Sequence, residues 1–515
     1  MQSQKVQQVI ATTPESRPDI GARAFVLGVW FIMMFVALIC LIKYGRNIPL
    51  TEDWLLVPPL TGNEPDVVSW LWAQNNEHRI PLPRLILLGL LKAANGDFRV
   101  GMFFNVIALG AVSLAAIQVA RYLRNGRTIF ADAFFPITLL HLGNWENLFW
   151  SWQLSFVLPT ALTLAVLLVI VSTPIIRTKG TALVAGTCMV LLPLCGVNGL
   201  LFVPFMALWF GYNGLVNWHM SKRQSGQRWI SGFLIGSALL ALSLTALYYY
   251  GYERPSWTPP NPGILATLET TAKFLALGFG PVARSSWKLS TMTVAVVLLS
   301  SAVILLLGVL HHKGTERNRA FGVLVFFASV TAFALVFGWG RAAVISIYGG
   351  WPLRYVLLAV PAFFMAYFIW ELYGPEKLKT VVQYSLLLAM CLLIPFNTIH
   401  GFWWRDWYDR HTDVLERDMS AKTPPPILAN VHREFLFHSM EANELAGLMR
   451  MLREAGMGPF AKMHDDRLKL KKPVTLEIHY YIPEAESVFL VWVIDGWALV
   501  QENLRPEKGQ RLKNP

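Results

Sequence analysis

The sequence predicts an all-α protein that crosses a membrane many times. Of its 515 residues, 54% are hydrophobic and only 15% are charged, whereas soluble chains carry about a quarter charged residues. The apolar residues are also concentrated in runs of about 20, the length that an α-helix needs to cross the hydrocarbon core of a bilayer. These two observations exclude an ordinary soluble enzyme and predict a polytopic membrane protein.

The first apolar run, residues 22–42, follows a segment, residues 1–21, that is too long and too polar for the charged start of a signal peptide. We therefore expect a permanent first span preceded by a cytoplasmic segment. Similar runs predict about eleven spans, which together form a transmembrane domain over residues 22–396. The predicted spans lie near 22–42, 98–123, 129–141, 153–174, 182–193, 200–216, 229–250, 289–310, 320–337, 355–373 and 381–395.

Lys and Arg residues collect in alternate connections between these runs. By the positive-inside rule such connections are cytoplasmic, and an odd number of spans places the C-terminus on the opposite, extracytoplasmic side. This pattern explains the net charge of +12 without a nucleic-acid partner. It predicts a multi-pass protein of a bacterial-type plasma (inner) membrane, in contact with membrane lipids. The basic connections are 1–21, 121–127, 177–179, 222–228, 313–319 and 377–379.

The extracytoplasmic side then holds the longer connections. The first loop, residues 43–97, contains a short apolar stretch at 81–94 with two basic residues, which predicts a helix lying in the membrane interface. After the last span, residues 397–515 predict a small extracytoplasmic α+β region. Its predicted elements are an amphipathic helix at 441–455 and two strands at 474–483 and 487–497.

The stretch TEDWLL, residues 51–56, places two carboxylates shortly after the first span. Glu52 and Asp53 belong either to an ordinary solvated loop or to a catalytic pair, because clustered acids against a membrane can position a general base. Trp54 is expected to fix the depth of this stretch at the lipid headgroups. The first loop is therefore the richest candidate for chemistry.

Two later segments of the outer side carry aromatic and basic side chains. Residues 141–153 predict either an aromatic belt or an aromatic-walled pocket for a sugar or headgroup, with Trp145 and Glu146 as its binding residues. Arg341 and Arg354 lie where the orientation rule disfavours basic residues. A guanidinium offers a planar fork of donors to phosphate oxygens, so these residues either bind a phosphate or only anchor the chain among headgroups.

The sequence has no Gly-rich phosphate loop, so a transferase of this design would take its activated donor from the membrane. The carboxylate pair, the span number and the stretch NEHRIPLPRL at 76–85 resemble the GT-C superfamily of membrane glycosyltransferases, in particular protein O-mannosyltransferases and lipid A aminoarabinose transferase. The likeness covers 22–395 in topology, but its motif is confined to the first loop, where apolar residues interrupt the family's basic-Pro-Pro-Leu stretch. It implies substrate-binding roles for Glu77, His78 and Arg79.

The resemblance implies an enzyme that moves a sugar from a polyprenyl-phosphate carrier to an extracytoplasmic glycan, lipid or protein acceptor. Asp53, or alternatively Glu52, would be the base. With Asp53 as the base, Glu52 would orient it or the acceptor, and Arg341 and Arg354 would hold the departing phosphate. This chemistry needs no cofactor, although carboxylates also suit Mg²⁺ or Mn²⁺. The two predicted strands are similar to the start of an Ig-like, carbohydrate-binding module.

Two other functions are open from the sequence. A non-enzymatic flippase or transporter of lipid-linked sugars would need ionisable residues near the bilayer midplane, and the exceptions in the spans, Asp132 and Glu371, lie near span ends. An envelope assembly factor would fit the C-terminal region but leaves the carboxylates of the first loop unexplained. The scarcity of charge within the spans favours chemistry at the membrane surface.

Overall fold

A computed structural model describes residues 20–220, 225–348 and 350–463. These residues form helices joined by turns, and eight of the helices are long and apolar enough to cross a membrane. The described part of the chain is thus all-α, and its eight apolar helices support the prediction of a multi-pass membrane protein. The segment 1–19 and the residues of both predicted strands lie outside the described part of the chain.

The chain forms nineteen α-helices over the described residues, and the eight candidate spans are the helices α1, α5, α8, α12, α14, α15, α16 and α17 of this order. The helices are α1 (Ile20–Tyr44), α2 (Val57–Thr61), α3 (Val67–Trp72), α4 (Pro81–Ala93), α5 (Arg99–Leu123), α6 (Phe134–Leu140), α7 (Trp145–Phe149), α8 (Leu154–Ser172), α9 (Lys179–Leu191), α10 (Val197–Leu200), α11 (Val203–Met220), α12 (Ser225–Tyr249), α13 (Ile264–Ala276), α14 (Trp287–His311), α15 (Gly314–Tyr348), α16 (Tyr355–Tyr373), α17 (Glu376–Ser420), α18 (Pro425–Phe437) and α19 (Ala442–Glu454).

Three of the eleven predicted spans are not among these eight helices. The run near 182–193 is the shorter apolar helix α9, and the run near 200–216 falls in α11, where Asn213 and Asn217 bond the backbone of Ile176. The run near 129–141 gives only the seven-residue α6, which ends where His141 adopts an extended backbone. The described residues thus contain eight candidate spans, and the number of eleven stays a prediction.

The segment that contains α6 nevertheless runs back along the whole of α5. Asp132 pairs with Arg124 at the end of α5 at 2.8 Å, and the Ser151 hydroxyl donates to the carbonyl of Phe98 at its start. A helix of 25 residues is about 37 Å long, so this return path is as long as a span but consists of short helices and turns. It carries Glu146 and the tryptophans to one end of the bundle.

We name the two ends of the bundle by their connections. The short-loop end contains residues 123–134 and 373–376, where Arg124 lies between the carboxylates of Asp132 and Glu371. The long-loop end contains residues 45–98 together with 421–463. Because both carboxylates at the short-loop end are paired with Arg124, this cluster ties α5 and α16 together rather than lining an open path.

The helix α16 lies at the centre of the bundle, and its residues from Tyr355 to Glu371 are all buried. A helix that is apolar on all sides is stable only when other helices surround it. Arg354 immediately precedes its first turn. Arg354, one of the two residues predicted to bind a phosphate, therefore lies at the start of the most buried helix, at the long-loop end of the bundle.

The helix α17 continues through Pro395 to Ser420 without a break. Its 45 residues correspond to about 67 Å, which is more than twice the thickness of a bilayer core. Its last turns, with α18, α19 and the turn Gly458–Lys462, form a cap over the first loop. The predicted helices at 441–455 and 81–94 are present as α19 and α4, and the place of α4 in the membrane interface stays a prediction.

Candidate active site

A cavity of about 150 Å³ lies at the long-loop end of the bundle. Its wall combines the first loop with the turn before α8, the loop before α13, and the ends of α15 and α16. Five of the residues singled out in the sequence lie on this wall, although they are up to 302 positions apart in the chain. The lining residues are Glu52, Asn75, Asn76, Glu77, His78, Ile80, Trp150, Trp152, Gln153, Ser155, Phe156, Asn198, Trp257, Arg341, Arg354 and Tyr355.

Glu52 is the carboxylate that the turn Thr51–Leu56 presents to the cavity. The Thr51 hydroxyl donates a hydrogen bond of 2.6 Å to Oε2 of Glu52. The backbone of Thr51 has a φ of +44°, a left-handed conformation that is unfavourable for a β-branched residue by about 1–3 kcal/mol. The strained turn therefore orients Glu52 through its neighbour's hydroxyl.

Asp53 does not line the cavity. Its side chain is completely buried behind the wall, where Oδ2 accepts a hydrogen bond of 3.3 Å from the backbone N–H of Leu50 and Oδ1 has no partner. Burial raises the pKa of the Asp53 carboxyl well above its ordinary value of 3.8. Of the two predicted carboxylates, the turn therefore places Glu52 on the cavity wall and Asp53 behind it.

Trp54 is also turned inward, which corrects its predicted position among the headgroups. It is fully buried in the apolar core of the cap, and its ring packs edge-on against Phe460 at 5.5 Å between centroids. The cap therefore holds the TEDWLL turn from the side opposite the cavity. The contact partner, Phe460, lies more than 400 positions further along the chain, so the contact could not be predicted from the first loop.

Glu77 and Arg341 form an ion pair on the cavity wall. Burial opposes ionisation of Glu77, but the Arg341 guanidinium, His78 and hydrogen bonds to the carboxylate together outweigh burial and lower the pKa of the carboxyl. The Tyr248 hydroxyl donates to the carbonyl of Glu77 at 2.9 Å. The pair thus connects the first loop with the ends of α12 and α15.

Arg79 points away from the cavity and donates to the carbonyl of Gly251 at 2.6 Å. It fixes the loop that carries His78, which does line the cavity. Gly196, with a φ of +77°, lies against this loop, since a Cβ there would be 2.9 Å from Ile80 and 3.6 Å from Nδ1 of His78. Of this predicted trio, Glu77 and His78 reach the cavity and Arg79 positions them.

Burial lowers the pKa of His78 below its ordinary value of 6.5, although the Glu77 carboxylate opposes this shift. His78 is therefore neutral at neutral pH and can donate or accept one hydrogen bond. The cavity wall thus carries two carboxylates, Glu52 and Glu77, and two guanidiniums, one of which is paired with Glu77. This balanced set suits a substrate that brings both a negative charge and a proton to be removed.

Arg354 is held from behind by Glu146. The Glu146 carboxylate accepts from the backbone N–H of Arg354 at 2.7 Å and lies 3.7 Å from its guanidinium. Burial disfavours the charge of Arg354, but Glu146, the largest of several opposing groups, acts with Tyr355 and the cavity carboxylates to raise the pKa of the guanidinium. Trp145 lies outside the cavity and stacks on Phe149 at 4.0 Å. The aromatic wall consists instead of Trp150, Trp152, Trp257 and Tyr355.

Several lining residues carried no signal in the sequence. Gln153 and Asn198 are uncharged amides in apolar surroundings, and Trp257 lies in a Pro-rich turn. Thr51 became notable only through its positive φ and its bond to Glu52. A hydroxyl or amide next to a predicted carboxylate was the one clue available, and it is too common to select a residue.

The described residues contain no group of three or more His, Cys, Asp or Glu side chains placed to hold a metal ion. Mg²⁺ and Mn²⁺ need only one or two protein carboxylates when a phosphate supplies other ligands, and Glu52 lies on the wall together with Glu77, which is paired with Arg341. Metal dependence therefore stays a prediction. Comparison with protein-family models and with curated proteins gave no match to this chain.

Proposed function

We propose that this protein is a GT-C-type glycosyltransferase that transfers a sugar from a polyprenyl-phosphate carrier to an extracytoplasmic acceptor. The observation that carries the proposal is the cavity itself, in which Glu52 faces Arg341 and Arg354 between aromatic rings. A carboxylate and a phosphate-binding pair are the two groups that such a transfer needs. The long-loop end is then the extracytoplasmic side, in agreement with the distribution of basic residues.

Glu52 is the general base in this proposal. It removes the proton from an acceptor hydroxyl while that oxygen forms its bond to the anomeric carbon. The bond between that carbon and the carrier phosphate breaks, and the electron pair leaves with the phosphate. Thr51 keeps Glu52 oriented by donating to Oε2 at 2.6 Å, so the second oxygen remains for the proton.

The departing phosphate is held by the guanidinium of Arg354. Glu146 bonds the backbone N–H of Arg354 and lies 3.7 Å from its side chain, beyond hydrogen-bond length. The fork of Arg354 is therefore positioned but still has donors for phosphate oxygens. Arg341, which is paired with Glu77, adds positive charge beside it. Trp150 and Trp152 offer flat apolar surfaces to the sugar ring.

Purified protein in detergent tests the proposal. We expect it to release free polyprenyl phosphate from a radiolabelled polyprenyl-phosphate hexose when a glycan or lipid extract supplies acceptors, and the Glu52→Gln variant to bind the donor without releasing the carrier. Detergent abolishes the membrane compartments that transport requires. Donor binding with no turnover under any acceptor would favour a flippase or assembly factor instead.

A further inference from the structure

Gln153 is a buried amide on the cavity wall that the transfer chemistry does not use. It lies in the turn Ser151–Gln153, directly before α8, and only 1% of its surface is exposed. Its backbone N–H donates to the carbonyl of Trp150 at 3.1 Å. The side-chain oxygen Oε1, however, has no hydrogen-bond partner.

An unpartnered buried amide oxygen is unfavourable for folding, and such groups in native proteins call for an explanation. Two neighbouring donors on the wall, the side chains of Trp150 and Asn198, bond other acceptors. The indole N–H of Trp150 donates to the carbonyl of Leu50 at 3.1 Å, and the side chain of Asn198 donates to the carbonyl of Ser155 at 3.3 Å. Gln153 is thus left with an acceptor beside the cavity.

We infer that Gln153 selects the sugar of the donor by accepting a hydrogen bond from one of its ring hydroxyls. The inference rests on the proposed function and extends it to substrate choice. An amide oxygen repels phosphate oxygens and finds no donor on an isoprenoid chain, so neither other part of the donor satisfies it. A sugar hydroxyl does, and Trp150 and Trp152, which line the same cavity as Gln153, offer rings for the sugar face.

The hydroxyl that pairs with Gln153 should be strongly required. A site with a buried acceptor discriminates against an analogue that lacks the matching donor, since the acceptor then stays unpaired. We expect the unaltered protein to bind its preferred polyprenyl-phosphate hexose about 10- to 100-fold more tightly than the one monodeoxy analogue that lacks this hydroxyl. The other monodeoxy analogues should bind nearly as well as the parent sugar.

The test uses Gln153→Met in the full-length protein, because methionine has a similar length and no hydrogen-bonding requirement. Binding is measured by quenching of tryptophan fluorescence with short-chain polyprenyl-phosphate glucose, mannose and galactose, their monodeoxy analogues, and free polyprenyl phosphate. We expect the variant to lose the preference between parent and deoxy sugar while it binds free polyprenyl phosphate as before.

Thermal unfolding without ligand separates this role from a structural one. Removal of an unpartnered acceptor should leave the melting temperature of Gln153→Met unchanged or raised, whereas a residue needed for folding would lower it. Gln383→Met is the matched control. Gln383 is equally buried but donates to Glu371 at 2.9 Å at the short-loop end, so its loss should lower the melting temperature and leave sugar preference intact.

The possible failures can be told apart. An unchanged sugar preference in Gln153→Met, in a protein that binds the lipid-linked sugars, would overturn the selection role and leave the proposed function standing. A lowered melting temperature together with uniformly weaker binding of every probe would make Gln153 a structural residue. If the unaltered protein binds none of the lipid-linked sugars, the proposed function fails and the role of Gln153 with it.

Discussion

Replacement of each carboxylate of the TEDWLL turn by its amide should have very different effects at the two positions. Glu52→Gln removes the basic oxygen that faces the cavity, and a positioned general base contributes about 10²- to 10⁴-fold to the rate. Asp53→Asn changes a buried group whose contact with Leu50 spans 3.3 Å. A hydrogen bond of this kind is worth about 1 kcal/mol, so the expected loss of turnover is at most about tenfold.

The assay is release of carrier phosphate from a labelled lipid-linked sugar, with donor binding measured in parallel. Both variants keep the shape of the side chain, so each should fold and bind the donor. Equal losses in the two variants would refute the assignment of the base to Glu52. A severe loss of turnover confined to Asp53→Asn, in a stably folded protein, would assign the base to Asp53 and would require that its side chain reaches the cavity during the reaction.

Four further outcomes follow from the contacts. Asp53→Asn should become more stable relative to the unaltered protein as the pH rises above about 3.8. The raised folded-state pKa of Asp53 stabilises the unaltered protein below the unfolded-state pKa, and this stabilisation is lost as the pH rises through the folded-state pKa. Thermal unfolding in detergent from about pH 3.5, near the ordinary pKa of an aspartate, to about pH 8 measures the difference, and a difference that does not change with pH would contradict the raised pKa. Arg354→Ala should weaken donor binding by about 10- to 100-fold and Arg354→Lys should restore it only in part, as measured by titration with free polyprenyl phosphate; equal affinity in all three proteins would make Arg354 an interfacial anchor. Arg124→Met should lower the free energy of unfolding by about 3–5 kcal/mol, since it leaves Asp132 and Glu371 without their shared guanidinium. A change below about 1 kcal/mol, the contribution of one exposed ion pair, would argue that this cluster does not hold α5 and α16 together. Thr51→Val should lower turnover about tenfold through loss of the bond to Glu52, whereas Thr51→Ser should retain it, so a similar loss in both would point to the backbone instead.

The class of fold could be predicted from the sequence because apolar length is a local property. The spans α5 and α16 follow directly from runs of apolar residues. The path from Asp132 to Ser151 could not be predicted in the same way, because its short helices are stabilised by burial against α5 rather than by their own length. Composition located the segment but not its broken form.

The candidate site was predictable in part. Charged residues on the long-loop side, such as Glu52 and Arg354, stand out because few charges occur near the spans. The choice between Glu52 and Asp53 depends on which face of the turn meets the cap, and that face is set by Phe460. Gln153 has no charge and no motif, and only its unpartnered oxygen in the folded protein reveals it.

The uninterrupted helix α17 connects the predicted last membrane span with the first loop, which contributes Glu52 to the cavity. Its last 25 residues after Pro395 extend about 37 Å, and their side chains Asp409 and Asp413 grip Arg46, five residues before Thr51. A tilt of about 10° at the proline, a common hinge in helices, would displace the far end by about 6 Å. We therefore expect the thickness of the membrane around the first half of α17 to change the position of the turn that contains Glu52. A turnover rate that does not depend on lipid chain length would contradict this coupling.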